Sequence, residues 1–168
     1  MLLLTGQYFH AFDAKSRLTI PAKLREQINR SAQGYGFVGV HGFDGVLYLY
    51  TPETYKRVAP QFDSALHTKK DVRDYERIAY GLAEQLEVDR LGRILIPEYT
   101  RQQCGLSKEV AVVGVRDHIE IWDRDAWQAF VQKRLAQHDE LAERAMAVAG
   151  AGVAGRPDEA EEPAGGNT

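Results

Sequence analysis

Polar and apolar side chains alternate from Gln7 to Phe12, placing Tyr8, His10 and Phe12 on one side of the chain. That two-residue period predicts a half-buried strand. Leu18 and Ile20, just behind Arg17, make a second short strand that ends at Pro21. Proline suits the first position of a helix, where its missing N–H would have no intrahelical acceptor anyway. A short helix is therefore expected from Pro21 to about Asn29, followed by a loop over Ser31–Gly36. Gly36–Val40 and Val46–Tyr50 flank His41-Gly42-Phe43-Asp44-Gly45, the pattern of a hairpin. Thr51 is a plausible cap for a helix opening on Pro52, with Tyr55, Val58, Ala59 and Phe62 as its apolar stripe. After a polar stretch near Ser64–Thr68, Val72, Tyr75, Ile78 and Leu82 recur at helical spacing.

The same order of elements then returns. Gln85–Val88 and Gly92–Ile96 read as strands, Pro97–Cys104 as a short helix, and Val110–Val115 with Ile119–Trp122 as a hairpin around Arg116-Asp117-His118. Asp123 can cap a last helix whose apolar face is Trp127, Phe130, Val131 and Leu135. The repeat is sharpest between residues 13–25 and 89–101. Without a gap, Asp13, Arg17, Ile20, Pro21 and Arg25 fall on Asp89, Arg93, Ile96, Pro97 and Arg101. Each copy reads as turn, strand, short helix. Its aspartate can accept from backbone N–H groups two residues on, and a glycine at the fourth position tolerates positive φ. Ser16 stands where the second copy has Gly92; a left-handed conformation there costs about 1 kcal/mol. Asp13, Ser16, Asp89 and Gly92 are accordingly read as structural turn residues.

Neither half has enough chain to close a core around its short strands. The expected architecture is α+β, with pseudo-repeated halves at 1–82 (with a helical connector) and 83–149 (with a C-terminal helix) building one β-barrel core with flanking helices. Beyond residue 150 a Gly/Ala/Pro/Glu mixture lacks the apolar content to order, so 150–168 is expected to be a disordered acidic tail.

Composition narrows the function. The lone Cys104 excludes an internal disulfide and a multi-cysteine zinc site, and reads as a small buried hydrophobe. His10 fits a half-buried strand position, and His41, His67, His118 and His138 show no metal-ligand spacing, so neither metal nor cofactor is expected. No run has the length of a membrane span or the form of a signal peptide, which predicts a cytoplasmic protein. The net charge of −3 argues against nucleic acid only until its distribution is considered. From Gly150 onward one arginine faces four acidic residues, so the preceding body is neutral. Within residues 1–30, Lys15, Arg17, Lys23, Arg25 and Arg30 face only Asp13 and Glu26. The basic region coincides with the first motif copy.

Arg17 and Arg93 admit two readings. They can pair with Asp13 and Asp89 as turn-stabilising ion pairs, or they can serve phosphates and guanine edges. The first copy adds Lys15 and Lys23, whereas Glu84, Glu87 and Glu98 dilute the second, so the first is the better fit to an acidic partner. Trp122 and Trp127 fit packing better than base stacking, and Lys69-Lys70 a solvated helix start. An enzyme is the rival class, since Asp13 and Asp89 could converge as a carboxylate pair. Against it, each aspartate has an arginine four residues on, and no nucleophile motif or phosphate-binding glycine loop occurs. A protein-interaction module, antitoxin-like in kind, is a further alternative.

Gly6-x-Tyr8-x-His10-x-x-Asp13-x-Lys15-Ser16-Arg17, Ile20-Pro21, Ala83-Glu84, Asp89-x-x-Gly92-Arg93, Gly105-Leu106 and His118-Ile119-Glu120-Ile121-Trp122-Asp123 together resemble the MraZ family. The resemblance covers roughly residues 1–135. It implies a swapped-hairpin fold related to AbrB/SpoVT-type regulators, with two half-domains per chain. It also implies a ring-shaped homo-oligomer that binds promoter repeats on double-stranded DNA, usually as a repressor of the division and cell-wall gene cluster. Nucleoid association follows from that role, with no membrane and no small-molecule substrate. By the family pattern the DNA contacts fall on Lys15 and Arg17, with Arg93 as partner from the second copy. Lys23 and Arg25, in the same basic stretch, complete the expected DNA-binding set.

Overall fold

The alternation near the N-terminus becomes β1 (Leu4–Ala11), which leads through the first Asp turn into β2 (Arg17–Thr19) and the short α1 (Ala22–Glu26). The computed structural model describes residues 2–59 and 64–154. Next come α2 (Arg30–Gln33), the hairpin strands β3 (Phe37–His41) and β4 (Leu47–Tyr50), α3 (Pro52–Val58) and α4 (Lys70–Gly81). The second half repeats the order with β5 (Glu84–Leu86), β6 (Arg93–Leu95), α5 (Glu98–Gln103), β7 (Glu109–Arg116) and β8 (His118–Asp123). It closes with α6 (Arg124–Leu135) and α7 (His138–Ala154).

Local chemistry accounts for most boundaries. The Thr51 hydroxyl accepts from Thr54 N at 3.3 Å and so caps α3, with Pro52 in its first turn. Asp123 Oδ1 accepts from Asp125 N at 3.1 Å, holding the start of α6. The expected loop over Ser31–Gly36 instead contains α2, because the Asn29 side chain caps it by accepting from Ser31 N at 3.1 Å. The first helix is correspondingly shorter than expected. Phe62, assigned above to the α3 stripe, lies outside the described residues.

Six strands form one antiparallel sheet in the order β1-β7-β8-β4-β3-β5, and β2 pairs with β6 in a separate two-stranded ladder. The first strand of each half is bonded to the other half's hairpin. β1 runs along β7 from Leu4 opposite Arg116 to Ala11 opposite Glu109. β5 runs along β3, with Phe37 opposite Leu86 and Gly39 opposite Glu84. The two hairpins meet where Leu47 faces Ile121.

The expected closed barrel is corrected: the main sheet remains open, with β1 and β5 as its edges. Each edge strand stops at an Asp turn that reverses the chain, so the following strand joins its counterpart in the ladder instead of extending the sheet. Leu18, Ile20, Leu24, Ile94 and Ile96 from the two motif copies are 0 % exposed. They share one cluster with Leu47, Leu49, Val110, Val112, Ile119 and Ile121 of the sheet. Cys104 packs partly buried against that cluster, and burial pushes its thiol up to about 11. His10 is half-buried on β1, and burial lowers its pKa.

The chain divides into two compact units, one ending at Gln128 and one beginning at Ala129. All the strands belong to the first. The second holds the end of α6 and all of α7, which are joined by a turn in which Gln137 N donates to Arg134 O at 3.0 Å. α7 runs past the expected boundary at 150 to Ala154, and the rest of the expected tail lies outside the described residues. Among the described residues no helix is long and apolar enough to cross a membrane.

Candidate nucleic-acid interface

The two Asp turns match bond for bond. In the first, Asp13 Oδ1 accepts from Lys15 N at 2.8 Å and Arg17 N at 3.0 Å, while Oδ2 accepts from Arg17 Nε at 2.8 Å. In the second, Asp89 Oδ1 accepts from Leu91 N at 2.9 Å and Arg93 N at 3.0 Å, and Oδ2 from Arg93 Nε at 2.8 Å. The backbone N–H of Arg17 is the main cause that holds the Asp13 carboxyl down at about 2, helped by the Arg17 guanidinium and the N–H of Lys15 and opposed by desolvation. Asp89 is lowered in the same way, first by the N–H of Arg93. Both carboxylates are ionised and engaged, which leaves neither as an acid or base for catalysis.

The fourth residue of each turn is left-handed, Ser16 at φ 59° and Gly92 at φ 78°. Gly92 meets that requirement without a Cβ clash, whereas Ser16 resists it by about 1 kcal/mol. Two arginines cross between the copies at these positions. Arg101 Nη1 donates to Ser16 Oγ at 3.1 Å, and the Arg101 guanidinium lies 4.1 Å from the centre of the Phe12 ring. Arg25 Nε donates to Ile20 O at 3.0 Å, and its guanidinium covers Gly92 so closely that a Cβ there would come within 2.6 Å of Cζ.

From these turns the chain enters the β2–β6 ladder, where Arg17 faces Leu95, Leu18 faces Ile94 and Thr19 faces Arg93. Leu18 and Ile94 point into the core. By strand alternation Arg17, Thr19, Arg93 and Leu95 occupy the other face. The result is a two-stranded ribbon whose outer side carries two arginines and a hydroxyl, with Arg93 Nη1 also 3.8 Å from Asp13 Oδ2. Lys15 is exposed at the first turn and Lys23 is exposed on α1. Arg25 differs from the rest of the expected set, since its guanidinium is turned onto the second Asp turn. Two residues were missed by the reading of the sequence. Arg90 is exposed in the second turn and gives that copy a cation of its own. Arg101 was visible only as the counterpart of Arg25 in the repeat.

Trp122 and Trp127 lie with ring centres 5.4 Å apart, and their Nε1 atoms donate to Glu120 at 2.7 Å and Gln7 at 2.6 Å, as packing residues would. Among the described residues no group of three or more His, Cys, Asp or Glu side chains is arranged to hold a metal ion.

A family model described as "MraZ protein, putative antitoxin-like" matches this chain twice, over residues 3–78 and 79–148. Several relatives named transcriptional regulator MraZ, none of them named as an enzyme, are similar along most of their length. The relative in Heliobacterium modesticaldum is 37 % identical over 139 residues, covering 83 % of this chain and 94 % of its own. Those in Ligilactobacillus salivarius and Lactiplantibacillus plantarum are each 41 % identical over 138 residues, covering 82 % of this chain and 93 % and 94 % of theirs. Two consecutive family matches that meet between residues 78 and 79, and relatives covered nearly end to end, leave one conclusion: the chain belongs to the MraZ family.

Proposed function

We propose that this protein is a sequence-specific DNA-binding transcriptional regulator that reads double-stranded DNA with the outer face of the β2–β6 ribbon. The observation that carries the reading is the placement of Arg17 and Arg93 diagonally on one face of that ribbon, with both guanidinium groups near Asp13 Oδ2 and with Lys15 and Arg90 at the adjoining turns. The major groove of B-form DNA admits a two-stranded ribbon, and an arginine can there donate both its terminal nitrogens to a guanine edge. The aspartates fix the arginine stems without burying them: the Arg17 and Arg93 side chains remain 32 % and 24 % exposed.

The exchange of first strands between the halves supports a swapped-hairpin, AbrB-type origin for the fold. The reading extends to a ring-shaped homo-oligomer on repeated promoter sites, including the protein's own. One ribbon offers few cations, and joining several through one assembly raises avidity by about 10² or more without a new contact. Exposed Ile78, Leu135 and Met146, with β1 as a sheet edge, offer apolar and backbone surface for such assembly. Repression of a division and cell-wall gene cluster, in a cytoplasmic, nucleoid-associated setting, completes the proposal. The family description's words "antitoxin-like" favour the second reading, a protein-interaction module on the same scaffold.

A gel shift on the duplex upstream of the protein's own coding sequence tests both. Regulator function requires binding there in preference to a scrambled duplex, weakening steeply as salt rises because phosphate contacts release counterions. Equal or absent binding to the two duplexes, with a toxin-like gene adjacent, supports the interaction module instead.

A further inference from the structure

We propose that Arg25 and Arg101 are positioning residues for the DNA-reading ribbon, each holding the turn of the motif copy to which it does not belong, and that neither touches DNA. The inference rests on the ribbon being the reading surface, and it removes Arg25 from the expected contacts.

Arg101 is the clearer case. Its side chain is only 17 % exposed, and its Nε is buried. The guanidinium lies against the Phe12 ring, donates to Ser16 Oγ, and has Glu98 Oε2 3.5 Å from Nη1. A cation so enclosed has little surface left for a phosphate, but its hydrogen bond to the first copy ends on the residue between Lys15 and Arg17. Ser16 sits in a backbone conformation that side-chain-bearing residues resist, so contacts around it decide whether the turn stays there. Arg101 supplies such a contact, and Ile96 N donates to Ser16 O at 3.3 Å beside it. The direction in which Lys15 and Arg17 leave the turn is thereby tied to α5 of the other half.

Arg25 performs the reciprocal task with different chemistry. The second turn has no side chain at residue 92, so the guanidinium occupies the space that a Cβ there would take. Its Nε bonds Ile20 O, and Ile20 N in turn donates to Gly92 O at 2.9 Å. Arg25 thus closes a small circuit joining the end of the first strand to the second turn. Both jobs use the planar guanidinium, which stacks and donates in fixed directions; a lysine keeps the charge but not that geometry.

The charge-preserving exchange gives the test. In the full-length protein, Arg25→Lys, Arg101→Lys and the corresponding Gln variants are compared with Lys15→Ala and Arg17→Ala. Binding to the upstream duplex is measured across a salt series, and melting temperature alongside. A direct phosphate contact survives arginine-to-lysine exchange, and its loss lowers the slope of log affinity on log salt by about 0.9 per contact. A positioning residue behaves otherwise. The Lys and Gln variants should both lose roughly tenfold or more in affinity, as expected for one charged hydrogen bond, with the salt slope unchanged. Introducing Ser16→Gly should remove much of the further effect of Arg101→Gln, because the hydroxyl link is then gone. Wild-type binding by the Lys variants, or a slope reduced as much as in Lys15→Ala, overturns the proposal. If a Gln variant fails to fold, the Lys variants decide. Intact binding by Arg17→Ala identifies a failure of the reading surface itself and removes the basis of the inference.

Discussion

Arg93 Nη1 lies 3.8 Å from Asp13 Oδ2, although the two belong to different copies of the motif. Asp13 therefore faces two arginines, Arg17 at 2.8 Å and Arg93 at 3.8 Å, while Asp89 pairs with Arg93 at 2.8 Å. Asp13→Asn should lower the melting temperature more than Asp89→Asn. The pH dependence has a definite sign. With Asp13 at about 2 against an ordinary 3.8, its stabilisation is complete above 3.8 and is lost as pH falls toward 2. Asp89, also lowered, acts in the same direction. Melts from pH 5 to pH 2 should show a decline that is shallower in Asp13→Asn; an unchanged profile in that variant contradicts the assignment.

His118 gives the opposite sign. Its Nδ1 lies 3.0 Å from Asp117 Oδ1 and its Nε2 3.2 Å from Glu120 Oε1, so only the imidazolium can donate on both sides. The Tyr48 and Tyr50 rings of β4 lie over it with centres 4.6 and 5.0 Å away. Burial works against the charge, but Glu120 and Asp117 outweigh it and raise the pKa above 6.5. The contribution is fully present below 6.5 and is lost as pH rises through the raised value. The wild-type melting temperature should drop across that window more than that of His118→Gln. Parallel profiles for the two proteins would show that folding leaves the pKa of the histidine unchanged, which contradicts the double pairing.

Leu18 and Ile94 face each other on the inner side of the ribbon, both 0 % exposed. Either truncation to alanine leaves a cavity under the reading surface and should cost about 2–5 kcal/mol. Denaturant unfolding measures it, and a loss below 1 kcal/mol would mean the site collapses without strain.

The repeat was legible because its chemistry is local. An aspartate that bonds its own downstream N–H groups leaves a sequence signature, and so does a proline opening a helix. The left-handed demand on Ser16 followed from its alignment with Gly92, and the structure has both at positive φ. What the sequence did not disclose were relationships between the copies. The open sheet depends on β2 and β6 choosing one another, and the cross-bonds of Arg25 and Arg101 span the same long separation. Periodicity located α4 and α6 but not what covers their apolar residues. Tyr75 and Ile78 are 46 % and 55 % exposed on α4, and Leu135 is 68 % exposed on α6. An apolar stripe records that a face tends toward burial without saying whether its cover lies in the same chain.

Exchange of strands between the halves bears on folding. A fragment of residues 1–82 leaves β1 without β7, β2 without β6 and β3 without β5. It should be unfolded, aggregated or paired with itself, as sedimentation and circular dichroism would report. A stable folded monomer of that fragment would contradict the dependence of each half on the other.

The last prediction separates the two motif arginines. Their ion pairs are alike, each a 2.8 Å contact from Nε to the aspartate four residues earlier, so both alanine variants should lose stability to a similar degree. Their neighbours differ. Arg17 shares its turn with Lys15, and Arg93 has Leu91 at the matching position, with Arg90 one residue before. If the first copy leads in reading DNA, Arg17→Ala removes a guanidinium from its most basic part, worth about 1–3 kcal/mol where it reads a guanine. In an oligomer that loss recurs at every engaged ribbon, so binding should nearly vanish while the protein still folds and assembles, with a melting temperature lowered only by the lost ion pair. Arg93→Ala should weaken binding less and lower the melting temperature at least as much, since its guanidinium also faces Asp13. Lys15→Ala, which removes an exposed charge without disturbing an ion pair, should reduce affinity chiefly at low salt. Gel shifts and thermal melts on the three variants decide the matter. Wild-type binding by Arg17→Ala would end its assignment as a reading residue, and equal losses in the two arginine variants would make the ribbon a symmetric reader with no leading copy.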